Sequence, residues 1–149
     1  MVRGLTVSRR LTVSDEDAAR LIEGWLPLPW SVRRNCWTLT AIASRALYGR
    51  DVPLKPFAGP LPERGARHLL FAQHPERRRW REVATPEDGA VVLMSRGALG
   101  DEHAGLFIGL GRGAVLHVDR PHGTVFEPPI AVTALRGWRM TFHVPVPDS

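Results

Sequence analysis

The spacing of apolar residues changes period once along this chain, and that change restricts the fold more than any other feature. Before about residue 73 apolar residues recur at helical spacing; after the turn sequence Pro86-Glu87-Asp88-Gly89 they fall in short runs bounded by glycine. Ser14-Asp15-Glu16-Asp17 is a helix start, with Ser14 as N-cap and acidic residues in the first turn, and the helix should run to Gly24 or Trp25. Pro27 and Pro29 then hold the chain extended through Trp30. Cys36, Leu39, Ala43, Ala46 and Leu47 predict a second helix over 36–48, capped by Asn35 and ended by Gly49. Residues 51–62, with four prolines, read as a loop, Glu63–Gln73 as a further helix, and His74–Arg81 as a polar run. Strands are expected at 90–94, 103–110, 113–118, 123–127 and 137–144, with residues 1–12 an arm or short edge strand. Helices first and antiparallel strands second make the fold class α+β, a single domain over 1–149 with a sheet of four to five strands.

Composition narrows the chemistry. With 44% hydrophobic and 23% charged residues, the chain reads as an ordinary globular domain. Its apolar runs are too short to span a bilayer, and the N-terminus lacks the apolar core of a secretory signal. One cysteine excludes an intramolecular disulfide and a cysteine-rich zinc site. The net charge is +5 and every basic residue but Lys55 is arginine, which suits carboxylate or phosphate partners without choosing among them.

The single Cys36 is either a small buried hydrophobe or a nucleophile. At a helix N-terminus its thiolate is favoured, and its own backbone N–H would lie near an oxyanion formed on attack. A nucleophilic thiol needs a base and a group that orients the base. His103 opens the strand His103-Ala104-Gly105-Leu106-Phe107-Ile108-Gly109, where small neighbours leave room for approach, and His117 lies on the next strand. A two-residue turn between those strands puts the two histidines on opposite faces; a three-residue loop or a bulge puts them on one face. Other readings stand beside this one. Arg77-Arg78-Arg79-Trp80-Arg81 is a basic cluster of the kind that contacts nucleic acid but more often forms a solvated surface. Asp101, His103, His117, Asp119 and His122 are metal-ligand types without a recognised metal spacing. His68, His74 and His143 read as surface or strand residues with no role, and Trp25, Trp80 and Trp138 as packing anchors.

Three segments in order resemble the NlpC/P60 family of cysteine peptidases. Leu28-Pro29-Trp30 followed by Asn35-Cys36-Trp37-Thr38-Leu39 resembles its Pro-Tyr pair and Asp-Cys-(Ser or Trp)-Gly-Leu. Pro86-Glu87-Asp88-Gly89-Ala90-Val91-Val92-Leu93 is similar to its Pro-Gly-Asp-(Leu or Val) turn and strand. His103–Gly109 and Val115-Leu116-His117 are similar to its His-Val-Gly-Ile-Tyr-Ile-Gly and (Ile or Val)-His strands. The Cys-Trp pair, Leu47-Tyr48-Gly49 and the Trp80…Val83 segment resemble the phage-tail branch. The resemblance implies a papain-like core in which Cys36 is the nucleophile, His103 the base and His117 the orienting group. It implies hydrolysis of peptidoglycan stem peptides with no metal or organic cofactor, by a virion tail-tip component whose partners are other tail proteins rather than a membrane or specific nucleic acid. Trp30 stands where the family has the tyrosine of the oxyanion site, Asn35 where it has aspartate, and Thr38 where glycine is common. A structural tail or assembly protein that keeps the fold without the activity is the alternative.

Overall fold

The computed structural model describes residues 11–31, 33–51, 79–96, 101–119 and 122–146, and of residues 101 and 102 the backbone alone. The expected helix Glu63–Gln73, the loop before it and the arm up to residue 10 fall outside these residues. Among the described residues the order is α1 (Asp15–Trp25), α2 (Cys36–Tyr48), β1 (Trp80–Val83), β2 (Val91–Ser95), β3 (Asp101–Ile108), β4 (Ala114–Asp119), β5 (Gly123–Glu127), α3 (Pro129–Arg136) and β6 (Arg139–Pro145).

The caps form where side-chain chemistry places them. The Ser14 hydroxyl accepts from Asp17 N at 3.0 Å, and Asn35 Oδ1 accepts from Thr38 N at 3.0 Å. Gly49 ends α2 in the left-handed conformation, φ 62°. Because α2 is apolar on most sides, it needs cover all round. Its buried side chains share one apolar cluster with Ala18 and Ile22 of α1 and with the face of the sheet on which it packs.

The sheet is antiparallel throughout, in the order β1-β6-β2-β3-β4-β5. It therefore has six strands rather than four to five. The added strand is β1, which pairs with β6 at one edge, from Trp80↔Pro145 to Val83↔Phe142. Its four residues alternate too weakly to stand out from the charged run around them. Leu11 and Thr12 form no strand: Leu11 is buried, and Thr12 gives both its N–H and its hydroxyl to the Leu47 carbonyl.

Period-two alternation assigns each strand residue to a face. Val91, Leu93, Ala104, Leu106, Ile108, Leu116 and Val118 pack with α1 and α2. Val92, Met94, Phe107, Val115, Phe142 and Val144 pack on the other face with Val132 of α3 and Trp138. Helix α3 is an addition to the sequence reading. Its Pro128-Pro129 start looks like a breaker, yet Pro129 sits at the first helical turn, where a missing N–H costs nothing.

Candidate active site

Helix α2 packs on strands β3 and β4. Asp88 fixes the far ends of α2 and β3 together: Tyr48 Oη, at the end of α2, donates to Asp88 Oδ1 at 2.5 Å, and Gly109 N, just past β3, donates to the same oxygen at 2.7 Å. Twelve helical rises span about 18 Å and six strand rises about 20 Å, so the two starts lie at a common end. Cys36 begins α2 there, and His103 lies near the beginning of β3. The loop before Cys36 is held at the same end, because Thr124 at the start of β5 donates to the Leu28 carbonyl through both N and Oγ1. The two residues approach that end from different faces. Helix α2 packs on the face of Ala104 and Leu106, whereas the His103 ring lies on the face of Trp138.

Cys36 is fully buried, and so is Asn35. The Thr38 hydroxyl donates to Asn35 Oδ1 at 3.1 Å and doubles the cap. Trp30 is partly buried against the core on the α2 side.

The two histidines are brought together. His103 Nε2 and His117 Nδ1 are 2.9 Å apart, and each residue is only 1% exposed. Five residues, 109–113, connect β3 to β4, with Leu106 opposite Leu116 and Ile108 opposite Ala114. That odd-length loop puts both rings on one face, on a diagonal rather than directly opposite. Directly opposite His117 comes Gly105, where a Cβ would stand 2.8 Å from the Leu116 carbonyl oxygen and 3.1 Å from His117 Cβ. The glycine lets the β4 backbone at Leu116 and His117 close against β3. Gly113 serves the turn itself, at φ 90°, where a Cβ would lie 2.3 Å from the Phe107 ring.

A second diagonal continues across the sheet. His117 Nε2 lies 3.3 Å from Glu127 Oε1, and Glu127 is in turn clamped by Arg136, Nε to Oε1 at 2.9 Å and Nη2 to Oε2 at 3.0 Å. The hydrogen bond from His117, and then the Arg136 guanidinium, hold the Glu127 carboxyl at a pKa of about 2 against burial, which pushes it up. The Arg136 pKa is raised in return by its bond to Glu127. Trp138 stacks on His103 with ring centroids 4.8 Å apart and planes at 22°. The Arg96 guanidinium lies 3.7 Å from the centroid of Trp138 and donates from Nε to the Arg136 carbonyl at 3.0 Å.

Comparison with known protein families, with curated proteins and with solved structures finds no match. The site therefore rests on its own geometry.

Sequence reasoning missed Glu127, Arg136, Trp138 and Arg96. Glu127 carried a signal, since alternation in Val125-Phe126-Glu127 puts it on the face of Val125, which pairs with His117. The pairing of Asp119 with Gly123 that sets this register could not be read from composition. Arg136 and Trp138 depend on α3, whose left-handed cap at Gly137, φ 77°, turns the chain back toward the histidines. Trp138 is a packing anchor, as its type implied, but the ring it anchors is His103. His143, buried on β6, bonds to Thr141 Oγ1 at 2.8 Å, and His122 sits exposed in its turn. Among the described residues no group of three or more His, Cys, Asp or Glu is placed to hold a metal ion.

Proposed function

We propose that this chain is a cysteine hydrolase of the NlpC/P60 kind, acting on peptide bonds of peptidoglycan stems, as a tail-tip component of a phage or prophage. The observation that carries the reading is the buried 2.9 Å contact between His103 and His117, at the end of the sheet where Cys36 starts α2. An imidazole held on one nitrogen by a second imidazole can act as a base through its other nitrogen. This reading requires the Cys36 thiol and the His103 ring, which reach this end of the sheet from opposite faces, to meet past its edge; Cys36 then gives its proton to His103, and the thiolate attacks the amide carbonyl. His103 then protonates the leaving amine, and water resolves the acyl-enzyme. The first N–H groups of α2 stabilise both the thiolate and the oxyanion. Trp30 lies on the loop before Cys36 and is the candidate to border the oxyanion site. No cofactor enters the scheme, and the net charge of +5 suits the carboxylates of stem peptides.

A second reading, a structural tail or assembly protein, is favoured by one observation: Cys36 has no exposed surface. Digestion separates the two. Wild-type protein and Cys36→Ala are incubated with peptidoglycan of several chemotypes, and released fragments are read by mass spectrometry. Stem-peptide fragments from the wild type alone support the hydrolase. Intact walls throughout, with Cys36→Ala still assembling normally into particles, support the structural reading.

A further inference from the structure

The histidine pair accounts for a base and its orienting group, but the row of polar groups does not stop at His117. It steps one strand further to Glu127, and Glu127 is held from the far side by both arms of one guanidinium. Neither Glu127 nor Arg136 belongs to the three segments that carry the family resemblance. Both are mostly enclosed, with side chains 13% and 20% exposed.

A hydrogen-bonded chain of two neutral imidazoles can be protonated in either of two directions, and in isolation nothing selects one. An ionised carboxylate can only accept. With Glu127 ionised, His117 must donate through Nε2–H, so its Nδ1 is the bare nitrogen. The 2.9 Å partner of that bare nitrogen is His103 Nε2, which must then carry hydrogen. A neutral His103 protonated on Nε2 has Nδ1 as its basic atom. Had the end group been a donor, every proton would sit on the opposite nitrogen and His103 Nδ1 could not accept.

We propose that Glu127, clamped by Arg136, is the positioning residue of this site, setting the direction of the His117–His103 chain so that His103 Nδ1 is the proton-accepting atom. Arg136 keeps Glu127 ionised and aimed, while Glu127 fixes the tautomer of His117. When the proton of Cys36 moves to His103 Nδ1, one S–H bond breaks and one N–H bond forms. The imidazolium so created is stabilised through His117 by the Glu127 charge. The inference rests on the proposed function only for the use made of that nitrogen; the direction of the chain is a property of the resting protein.

Nitrogen-15 spectra of the histidine side chains therefore test it without any substrate. They are recorded on Cys36→Ala protein at a pH where the spectra themselves show neutral rings, so that the tautomers are read directly and the thiol is absent. The expected spectrum has His103 and His117 each protonated on Nε2. Glu127→Gln is expected to mix the tautomers of both rings. The exchanged pair Glu127→Lys with Arg136→Glu, which presents a donor to His117, is expected to move both protons to Nδ1. Arg136→Gln, which keeps the acceptor, is expected to leave the Nε2–H forms in place. On the Cys36 enzyme, Glu127→Gln is expected to lower kcat ten- to a hundredfold with little change in KM. His103 protonated on Nδ1 in the parent protein, or parent-like tautomers in folded Glu127→Gln, would overturn the proposal. If the exchanged pair does not fold, Glu127→Gln and Arg136→Gln decide between them. A wild type that cleaves no substrate would remove the hydrolase reading and leave the tautomer result standing.

Discussion

At the scale of single residues, Gly105 has the sharpest consequence. The small residue after His103-Ala104 looked from sequence like room for an approaching group. The structure gives that room its occupants: the Leu116 carbonyl and His117 Cβ on the next strand, and Met94 Cε. A methyl at Gly105 meets a backbone carbonyl oxygen at 2.8 Å and Met94 Cε at 2.9 Å. Met94 can swing, but the β4 backbone cannot. Gly105→Ala is expected to cost roughly 1–3 kcal/mol and to separate the imidazoles. Thermal melts should fall by several degrees, and turnover should fall further than the stability loss alone explains. Unchanged melting and activity would show that the strands shift to absorb the methyl. The identities of Cys36, His103 and His117 were legible because each is a rare chemical type at a readable position. Glu127 and Arg136 were not, since acidic and arginine residues are common here and only the register tells these two from the rest.

Elements were legible in proportion to how local their causes are. Helices α1 and α2 have a side-chain cap and an apolar stripe within a few residues, and both form where the sequence places them. Removing the cap of α2 tests that locality. Asn35→Ala loses bonds to both Thr38 N and Thr38 Oγ1, and should destabilise the fold by about 1–2 kcal/mol in denaturant titration. It should also weaken the first turn, where the Cys36 thiolate would be stabilised, so alkylation of Cys36 should slow. Loss of less than about 0.5 kcal/mol would mean that packing of Trp37 and Leu39, not the cap, holds the helix start. Helix α3 and strand β1 are different. Both are short, and each is held by packing rather than by a pattern of its own: β1 by β6, distant in sequence, and α3 by Val132 in the cluster on the far face of the sheet. Local pattern cannot reveal an element whose stabilisation comes from its tertiary partners.

At the scale of the whole molecule, the sheet separates two jobs. One face holds α1 and α2 and most of the apolar core. The other holds the histidine row beneath Trp138, with Arg96 stacked above it. The α+β class and the antiparallel sheet followed from the period change near residue 86, whereas the strand order did not, because β6 inserts between β1 and β2 through contacts no local pattern encodes. The ion pair that ends the row couples global stability to pH. Glu127 titrates near 4.5 when unfolded and at about 2 when folded, so the folded state favours its ionised form. Its contribution is complete above about pH 4.5 and is lost as pH falls toward 2. Allowing for solvent screening, this group should contribute roughly 1–3 kcal/mol, visible as a fall in wild-type stability across that window. Glu127→Gln should be less stable than wild type at neutral pH and nearly equal to it at pH about 2. Parallel curves for the two proteins down to that pH would show that the ion pair contributes nothing net.

The central claim is that Cys36 and the His103–His117 pair form one chemical unit, and the pH dependence of Cys36 alkylation by iodoacetamide tests it most directly. A thiol paired with His103 should react as thiolate well below the ordinary thiol pKa of about 8.5, and His103→Gln should return the profile to that value or above. A Cys36 that is inert, or whose profile is the same with and without His103, would contradict the account and leave the buried histidine row as structure alone.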